Sequence, residues 1–240
     1  MMEEMKRESD FVWLKPSDIT RTIHDCKGEY YMDLFHKIRR IISYQFNNPQ
    51  VEGIKGFIFH GDVGTGKTLM AKVLSKSLEK QLLFVDGSSI ARKYYGESEQ
   101  RIANIFNEAY GKTNSIILID DAESIFPDRD WIKGQSWHVA QNNVFFHQLD
   151  GVNTGKTIVI MTTNKYNLLD KALKDRLYPI EFPQPDIKTL IEIIESECAR
   201  KNMKPDNIIE EIRSNKKKYA SIRDVEKILI EEYIRQVTVK

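Results

Sequence analysis

The chain has 240 residues, of which 41% are hydrophobic and 30% are charged, a composition that suits a globular protein with one sizeable core and a small second domain. Its 36 basic and 35 acidic residues leave a net charge of +1, so the overall charge gives no sign of a nucleic-acid or membrane-surface partner. The longest apolar runs fall far below the ~20 residues that a membrane span needs, and the N-terminus has no apolar signal-peptide core, so we expect no membrane insertion. Two distant cysteines, Cys26 and Cys198, make a cytoplasmic location the simplest prediction.

The first fifty residues are predicted to form a partly helical lead-in rather than a domain of their own. Within them, the segment "MDLFHKIRRIISYQF" carries an apolar stripe at helical spacing. From Lys55 onward, short apolar runs alternate with amphipathic stretches. Such uniformly apolar runs are typical of strands buried on both faces of a parallel sheet. The pattern predicts five strands, at residues 56–61, 82–87, 115–120, 157–164 and 179–182.

The alternation ends at Pro183 and Pro185, which mark a predicted domain boundary. Beyond these prolines the apolar residues recur only at helical spacing. The sequence therefore predicts an α/β domain over residues 51–183 and a small all-helical domain over residues 184–240.

A phosphate-binding pattern, "GDVGTGKT", stands between the first predicted strand and the helix that follows it, and fits G-x-x-x-x-G-K-[ST]. Its glycines let the backbone bend so that N–H groups meet phosphate oxygens, and the helix directs its positive end at them. The lysine adds charge at the outer phosphates, and the threonine hydroxyl can coordinate Mg²⁺. A glycine-rich turn followed by a chance Lys-Thr pair is the alternative. The pattern predicts a site for ATP or GTP formed by Gly61, Asp62, Val63, Gly64, Thr65, Gly66, Lys67, Thr68 and Leu69.

Two acidic residues end the third predicted strand, in "SIILIDDAESIF". Asp120, at the carboxyl end of the strand, can hold Mg²⁺ through water together with Thr68. Asp121 stands next to it, where a residue that activates water is expected. The alternative is that both acids only cap the short helix "AESIF".

The motifs that follow resemble the AAA+ ATPase family, and the resemblance runs from about residue 55 to residue 235. The segment "ARKYYGESEQRIANIFNEA" is similar to the family's pore-loop region, "NVFFHQLDGV" to its helix ending in Leu-Asp-Gly, and "TTNKYNLLDKALKDRLYPIEFPQPD" to its second region of homology. The match is to the protein-remodelling and unfoldase type. It implies a P-loop NTPase fold, with a doubly wound parallel sheet followed by a small all-helical lid, and it implies ATP and Mg²⁺ as cofactors.

The resemblance also implies catalytic and nucleotide-contacting roles. Asn164 matches sensor 1, which orients the attacking water, although Asn at a strand end is also a common turn cap. Arg176 matches the arginine finger that reaches a neighbouring subunit's nucleotide. The family usually has two arginines there and "KDRLYP" offers one, so a surface arginine is the alternative. Arg223 resembles the sensor-2 arginine of the lid, with pairing to Asp224 or Glu226 as the alternative. Ile19 lies where the family contacts adenine.

Two aromatic residues, Tyr94 and Tyr95, match the pore loop with which the family's hexameric rings grip an extended polypeptide. The implied partners are therefore further copies of the chain, forming a ring and in the family's pattern a hexamer, and a protein or peptide substrate. Aromatic side chains offer large contact area at low entropic cost, which suits such a role. Local packing and stacking on nucleic-acid bases are the alternatives, and the near-neutral charge argues against the second.

The identity of residue 121 separates two functional hypotheses. The family usually has Glu there, and Asp is one methylene shorter, so its carboxylate is farther from the water; a displacement of ~1 Å can cost about a hundredfold in rate. The first hypothesis is a ring-shaped protein remodeller that hydrolyses ATP slowly. The second is a nucleotide-gated assembly or binding module with negligible hydrolysis. A DNA-loading protein of the same family lacks support in the sequence.

Overall fold

A six-stranded sheet forms the centre of the computed structural model, which describes residues 11–90, 97–112, 114–128, 136–215, 219 and 221–238. Its strands are β1 (Phe11–Leu14), β2 (Gly56–His60), β3 (Gln81–Asp86), β4 (Ser115–Asp120), β5 (Thr157–Thr163) and β6 (Tyr178–Glu181). Their order is β1-β3-β4-β5-β2-β6, and all neighbours are parallel except β1 and β3. The predicted α/β fold and its five parallel strands are confirmed.

Strand β1 is a feature that the sequence analysis missed, because it falls in the segment predicted as a partly helical lead-in. It runs antiparallel to β3, with Phe11 opposite Val85 and Leu14 opposite Leu82. An apolar run of four residues is too short for its periodicity to distinguish strand from helix. The sheet therefore has an antiparallel edge strand in addition to the predicted parallel ones.

Helices cover both faces of the sheet, as expected when successive side chains of a strand point to opposite sides. The helices before residue 184 are α1 (Glu29–Asn47), α2 (Lys67–Ser77), α3 (Gly87–Ile90), α4 (Glu97–Tyr110), α5 (Ser136–Asp150) and α6 (Lys171–Arg176). Ile116 and Leu118 of β4 pack in one cluster with α1 and α2, whereas Ile117 and Ile119 pack in another with α4 and α5. The apolar stripe of α1 thus helps to cover the sheet. Within the described ranges, no helix combines the length and apolarity needed to cross a bilayer.

Three helices at the end of the chain pack around a separate apolar cluster. They are α7 (Ile187–Lys201), α8 (Asp206–Ser214) and α9 (Ile222–Thr238), and we refer to them as the lid. Ile194, Ile212 and Leu229, one from each helix, are almost completely buried in this cluster. The helices therefore match the all-helical pattern of the sequence, while the domain boundary at residues 183 and 184 stays a prediction.

Four charged side chains join the lead-in to the lid, and we call them the lead-in cluster. Arg21 donates to Asp25 at 3.1 Å and also to Glu197, while Arg200 donates to Glu197 at 3.1 Å and also to Asp25. Burial alone would raise the pKa of Asp25, but hydrogen bonds from Arg200, from the N–H of Thr22 and from Arg21 lower this pKa to about 2. The lead-in is thus attached to the lid by a carboxylate that favours its charged form.

Replacing Asp25 by Asn is expected to destabilise the fold in a pH-dependent way. A carboxylate pKa of about 2 in the folded chain, below its ordinary value of 3.8, adds stability above pH ~4 that is lost as the pH falls towards 2. The variant should lose about 2 kcal/mol in the free energy of unfolding at pH 6, and this difference should shrink by about half at pH 3. Urea unfolding followed by circular dichroism measures both values. Asp33→Asn, at an exposed position of α1, is the control, and a loss that does not change with pH would contradict the expectation.

Candidate functional site

The loop between β2 and α2, residues 61–66, has a backbone that only glycine accommodates easily at three positions. Gly61, Gly64 and Gly66 have φ values of 139°, 79° and 89°, in the region that side chains other than glycine rarely adopt. A Cβ atom on Gly61 would also lie 2.1 Å from the carbonyl oxygen of Phe182. The sequence pattern of the loop therefore corresponds to a tight, closely packed turn at the N-terminus of α2, as a phosphate-binding loop requires.

Lys67, the first residue of α2, is buried beneath this loop. Its Nζ donates to the carbonyl oxygens of Gly61 at 2.8 Å and Asp62 at 2.6 Å. Burial lowers the pKa of Lys67, and the nearby carboxylates of Glu123, Asp120 and Asp62 act against this lowering. The lysine thus places a poorly solvated positive charge at the loop, which favours an anionic ligand.

Asp120, at the carboxyl end of β4, joins the loop to the neighbouring strand. Its Oδ1 accepts hydrogen bonds from the Thr68 hydroxyl at 2.7 Å and from the Thr162 hydroxyl at the end of β5. A carboxylate and a hydroxyl are hard oxygen donors, and Mg²⁺ is commonly held by one or two carboxylates together with water and substrate phosphates. The residues present therefore fit the predicted magnesium site.

Asp121 has a left-handed backbone, with φ 53° and ψ 53°. Asp adopts this conformation more easily than a longer side chain such as Glu, since its short polar group can bond locally. Burial, followed by the carboxylates of Asp120, Glu123 and Asp86, raises the pKa of Asp121. A higher pKa makes the carboxylate a stronger proton acceptor. The Nδ2 atom of Asn164 lies 3.5 Å from Oδ1 of Asp121, so the two predicted catalytic side chains are neighbours.

A cleft of about 360 Å³ lies between the loop, the strand ends and the lid. Ile222, Arg223 and Glu226 at the start of α9 form its lid wall, and the N–H of Ile222 donates to the carbonyl oxygen of Gly64 at 2.9 Å. The Ser221 hydroxyl donates to the Asp224 carboxylate at 2.7 Å and accepts from the N–H of Asp224 at 3.3 Å, so these two residues form a capping box at the start of α9. The predicted residues in the cleft walls come from the loop and the start of α2, from the ends of β4 and β5, and from the lid, namely Val63, Gly64, Thr65, Gly66, Lys67, Thr68, Leu69, Asp120, Asp121, Asn164 and Arg223.

Four predicted residues of the described ranges lie outside these walls, namely Gly61, Asp62, Ile19 and Arg176. Gly61 and Asp62 begin the loop, and their carbonyl oxygens accept from Lys67. Ile19 is buried, and its carbonyl oxygen accepts a hydrogen bond from Lys76 of α2. Arg176, at the end of α6, donates to the carbonyl oxygen of Ala172 at 3.1 Å and to Asp150 at 3.4 Å. Its guanidinium carbon also lies 4.8 Å from the ring centre of Phe146. An arginine finger acts on a neighbouring subunit, so a position away from the cleft of its own chain is compatible with that prediction.

Three wall residues were missed by the sequence analysis, namely Thr162, Ile222 and Glu226. Thr162 belongs to the strand that ends in Asn164, so its nearness to the acids follows from the order of parallel strands. Ile222 and Glu226 flank Arg223 on α9, and a helical reading of that segment puts Glu226 on the same face as Arg223. The predicted pore-loop residues, Tyr94 and Tyr95, lie outside the described residues.

Comparison with known proteins assigns the chain to a family. The sequence profile described as "ATPase family associated with various cellular activities (AAA)" matches residues 57–184. A Cell division cycle protein 48 homolog from Archaeoglobus fulgidus is 35% identical over 189 residues, which are 73% of this chain and 25% of that protein. A Proteasome-activating nucleotidase from Methanosphaerula palustris is 31% identical over 206 residues, which are 79% of this chain and 50% of that protein.

A 26S proteasome regulatory subunit 4 homolog from Dictyostelium discoideum is 35% identical over 170 residues, 68% of this chain and 38% of that protein. The chain thus matches between a quarter and a half of the length of these relatives. The family profile, in contrast, covers more than half of the chain. With its phosphate-binding loop, paired acids and helical lid, the chain belongs to the AAA family of nucleotide-binding ATPases.

Proposed function

We propose that the chain binds ATP with Mg²⁺ in this cleft and hydrolyses it slowly, as part of a ring that remodels a protein substrate. The observation that carries the proposal is that Lys67, Asp120, Asp121, Asn164 and the lid residue Arg223 all line one cleft. These residues come from four separate segments, so a chance cluster of polar groups is a poor explanation. Their arrangement suits positioning of phosphates and activation of water.

Each group has a definite task in this proposal. The N–H groups of the loop and the Lys67 ammonium bind the phosphates, and Arg223 approaches the nucleotide from the lid. Thr68 and Asp120 would hold Mg²⁺, Asp120 through water, and the ion would neutralise phosphate charge. The Asp121 carboxylate accepts a proton from the attacking water, while the Asn164 amide orients that water. The short side chain of Asp121 keeps the reaction slow.

The proposed ring and its substrate rest on the relatives and on two further segments. One relative is named a proteasome-activating nucleotidase and another a cell division cycle protein 48 homolog. We infer that copies of this chain associate, in the family's pattern as a hexamer, so that Arg176 of one copy reaches the cleft of the next. Tyr94 and Tyr95 would then contact an extended peptide in the central channel. We place this activity in the cytoplasm, because the buried Cys26 and Cys198 form no disulfide.

A nucleotide-gated binding module is the second candidate, and Asp121 in place of Glu is the observation that favours it. In that case ATP binding would drive assembly and hold a partner with negligible turnover. Both candidates use the same cleft, so binding alone does not separate them.

Steady-state ATP turnover with Mg²⁺, compared with Lys67→Ala as the background, tests the proposal. We expect the turnover per chain to exceed that background and to rise with protein concentration, because the arginine finger comes from a neighbouring copy. Light scattering under the same conditions gives the mass of the assembly. Turnover equal to the Lys67→Ala background, together with an ATP-dependent increase in mass, would instead establish the gated module.

A further inference from the structure

Thr162 is a buried residue near the end of β5 whose hydroxyl contacts both acids of the cleft. We propose that Thr162 is a positioning residue, which holds the backbone of Asp121 so that its carboxylate faces the reacting water. The inference rests on the proposed function, since it concerns the residue to which proton acceptance is assigned there. Thr162 itself touches no reacting atom and acts through the position of Asp121.

The main-chain ladder between β4 and β5 stops just before the acids. Ile119 and Met161 are the last paired residues, and Asp120 and Asp121 extend beyond them. Beyond this point the Thr162 hydroxyl connects the two strands instead of main-chain hydrogen bonds. It accepts a hydrogen bond from the N–H of Asp121 at 3.3 Å and donates its own hydrogen to Oδ1 of Asp120. A hydroxyl has one donor hydrogen and two lone pairs, so both contacts can exist together. One side chain thus fixes the relative placement of two adjacent acids.

The backbone of Asp121 needs such support because its left-handed conformation is unfavourable for a residue other than glycine. A conformation of this kind persists only where the surrounding structure holds it in place. On the side opposite β5, the start of α3 lies very close. A Cβ atom on Gly87 would lie 2.6 Å from the carbonyl oxygens of both Asp120 and Asp121. The turn is therefore confined between Gly87 on one side and the Thr162 hydroxyl on the other.

The support from Thr162 matters for rate more than for binding. Lys67 donates to the loop carbonyl oxygens of Gly61 and Asp62, and Thr162 takes no part in these bonds. Thr68 also donates to Oδ1 of Asp120, so this carboxylate keeps one of its two hydroxyl partners when Thr162 is replaced. Loss of the hydroxyl would free the N–H of Asp121 and allow the carboxylate to shift. A shift of about 1 Å in a catalytic group can cost up to about a hundredfold in rate. The expected signature is a lower kcat with little change in KM.

The test compares four variants with wild type over a series of Mg²⁺ concentrations that extends to saturation. Thr162→Val removes the hydroxyl but keeps the branched shape, Thr162→Ala removes it without the added methyl, and Thr162→Ser retains it. Thr157→Val is the control, since Thr157 is a fully buried threonine at the other end of the same strand, with its hydroxyl 3.4 Å from that of Ser115. We expect kcat to fall about tenfold in Thr162→Val and Thr162→Ala, with KM within about twofold, and to stay within about threefold of wild type in Thr162→Ser and Thr157→Val.

A second readout needs neither nucleotide nor turnover. Amide hydrogen exchange at Asp121, measured on the protein without added nucleotide, should be faster in Thr162→Val than in wild type and unchanged in Thr157→Val. Unchanged exchange at Asp121 would overturn the inference, as would an equal loss of kcat in Thr162→Ser. Recovery of kcat on raising Mg²⁺ would also overturn it, because the effect would then act through Asp120. Wild-type turnover at the Lys67→Ala background would refute hydrolysis itself, and the exchange result alone would then decide whether Thr162 holds the turn.

Discussion

Replacing Asp121 by Asn is expected to lower kcat by about a hundredfold to ten-thousandfold, which is the usual contribution of a positioned general base. The amide keeps the size of the side chain and tolerates the left-handed backbone, but it cannot accept the proton of the attacking water. Nucleotide affinity should change little, because the proposed function assigns phosphate binding to the loop and Lys67 and not to Asp121. Single-turnover ATP hydrolysis and calorimetric ATP binding measure the two effects separately. Equal kcat values for Asp121→Asn and wild type would mean that Asp121 does not accept the proton.

Asp121→Glu tests whether the length of the side chain limits the rate. We expect kcat to rise several-fold, since the extra methylene brings the carboxylate closer to the water. The folded chain should lose about 1 kcal/mol in unfolding free energy, because Glu fits a left-handed backbone less well than Asp. An unchanged or lower kcat would mean that Asp121 already reaches the water, so that slow turnover, if observed, has another cause.

Arg176→Ala is expected to reduce turnover by about a thousandfold or more, the range that arginine fingers contribute, without weakening ATP binding to the same chain. Arg176 lies outside the cleft of its own chain and is held there by Asp150, Ala172 and Phe146. Arg176→Lys should lose most of the activity as well, because Lys lacks the planar guanidinium group with its paired N–H donors. Arg213→Ala, at an exposed position of α8, is the matched control for loss of a surface charge.

A mixing experiment distinguishes action between copies from action within one chain. Lys67→Ala lacks a working cleft but retains Arg176, whereas Arg176→Ala retains the cleft. If the arginine acts on a neighbour, mixing the two inactive variants should restore part of the turnover at high protein concentration. Mixtures that stay inactive, although light scattering detects mixed assemblies, would contradict the finger assignment.

The parts of the fold that the sequence predicted are those in which burial leaves a uniform pattern. β4 and β5 each contain an uninterrupted apolar run, residues 116–119 and 158–161, because both faces of the sheet are covered there. The lid helices show helical spacing because each has one buried face. β1 could not be predicted from its four residues, since it is stabilised by pairing with β3, about seventy residues away in sequence. Long-range pairing of this kind leaves little local signal.

The residues of the candidate site likewise divide into those that a local sequence pattern predicts and those that depend on long-range packing. The loop from Gly61 to Thr68 could be predicted because phosphate binding fixes residue types at fixed spacing. Thr162 could not, because a threonine in a strand is common and its role depends on where the β4–β5 ladder ends. Ile222 reaches Gly64 only through packing of the lid over the sheet. Ile19 was assigned by position relative to the family, and the structure places it apart from the cleft.

The antiparallel strand β1 has a consequence for the solubility of shortened chains. β1 is only four residues long, and the opposite edge strand, β6, contains Pro179, which has no N–H to donate. Short edge strands and edge prolines both discourage the pairing of sheets between molecules. A chain that lacks the residues up to Leu14 would lose β1 and expose the backbone of β3 beside Leu83 and Val85. Such a chain should aggregate through that edge, so Phe11–Leu14 protects the sheet from self-association.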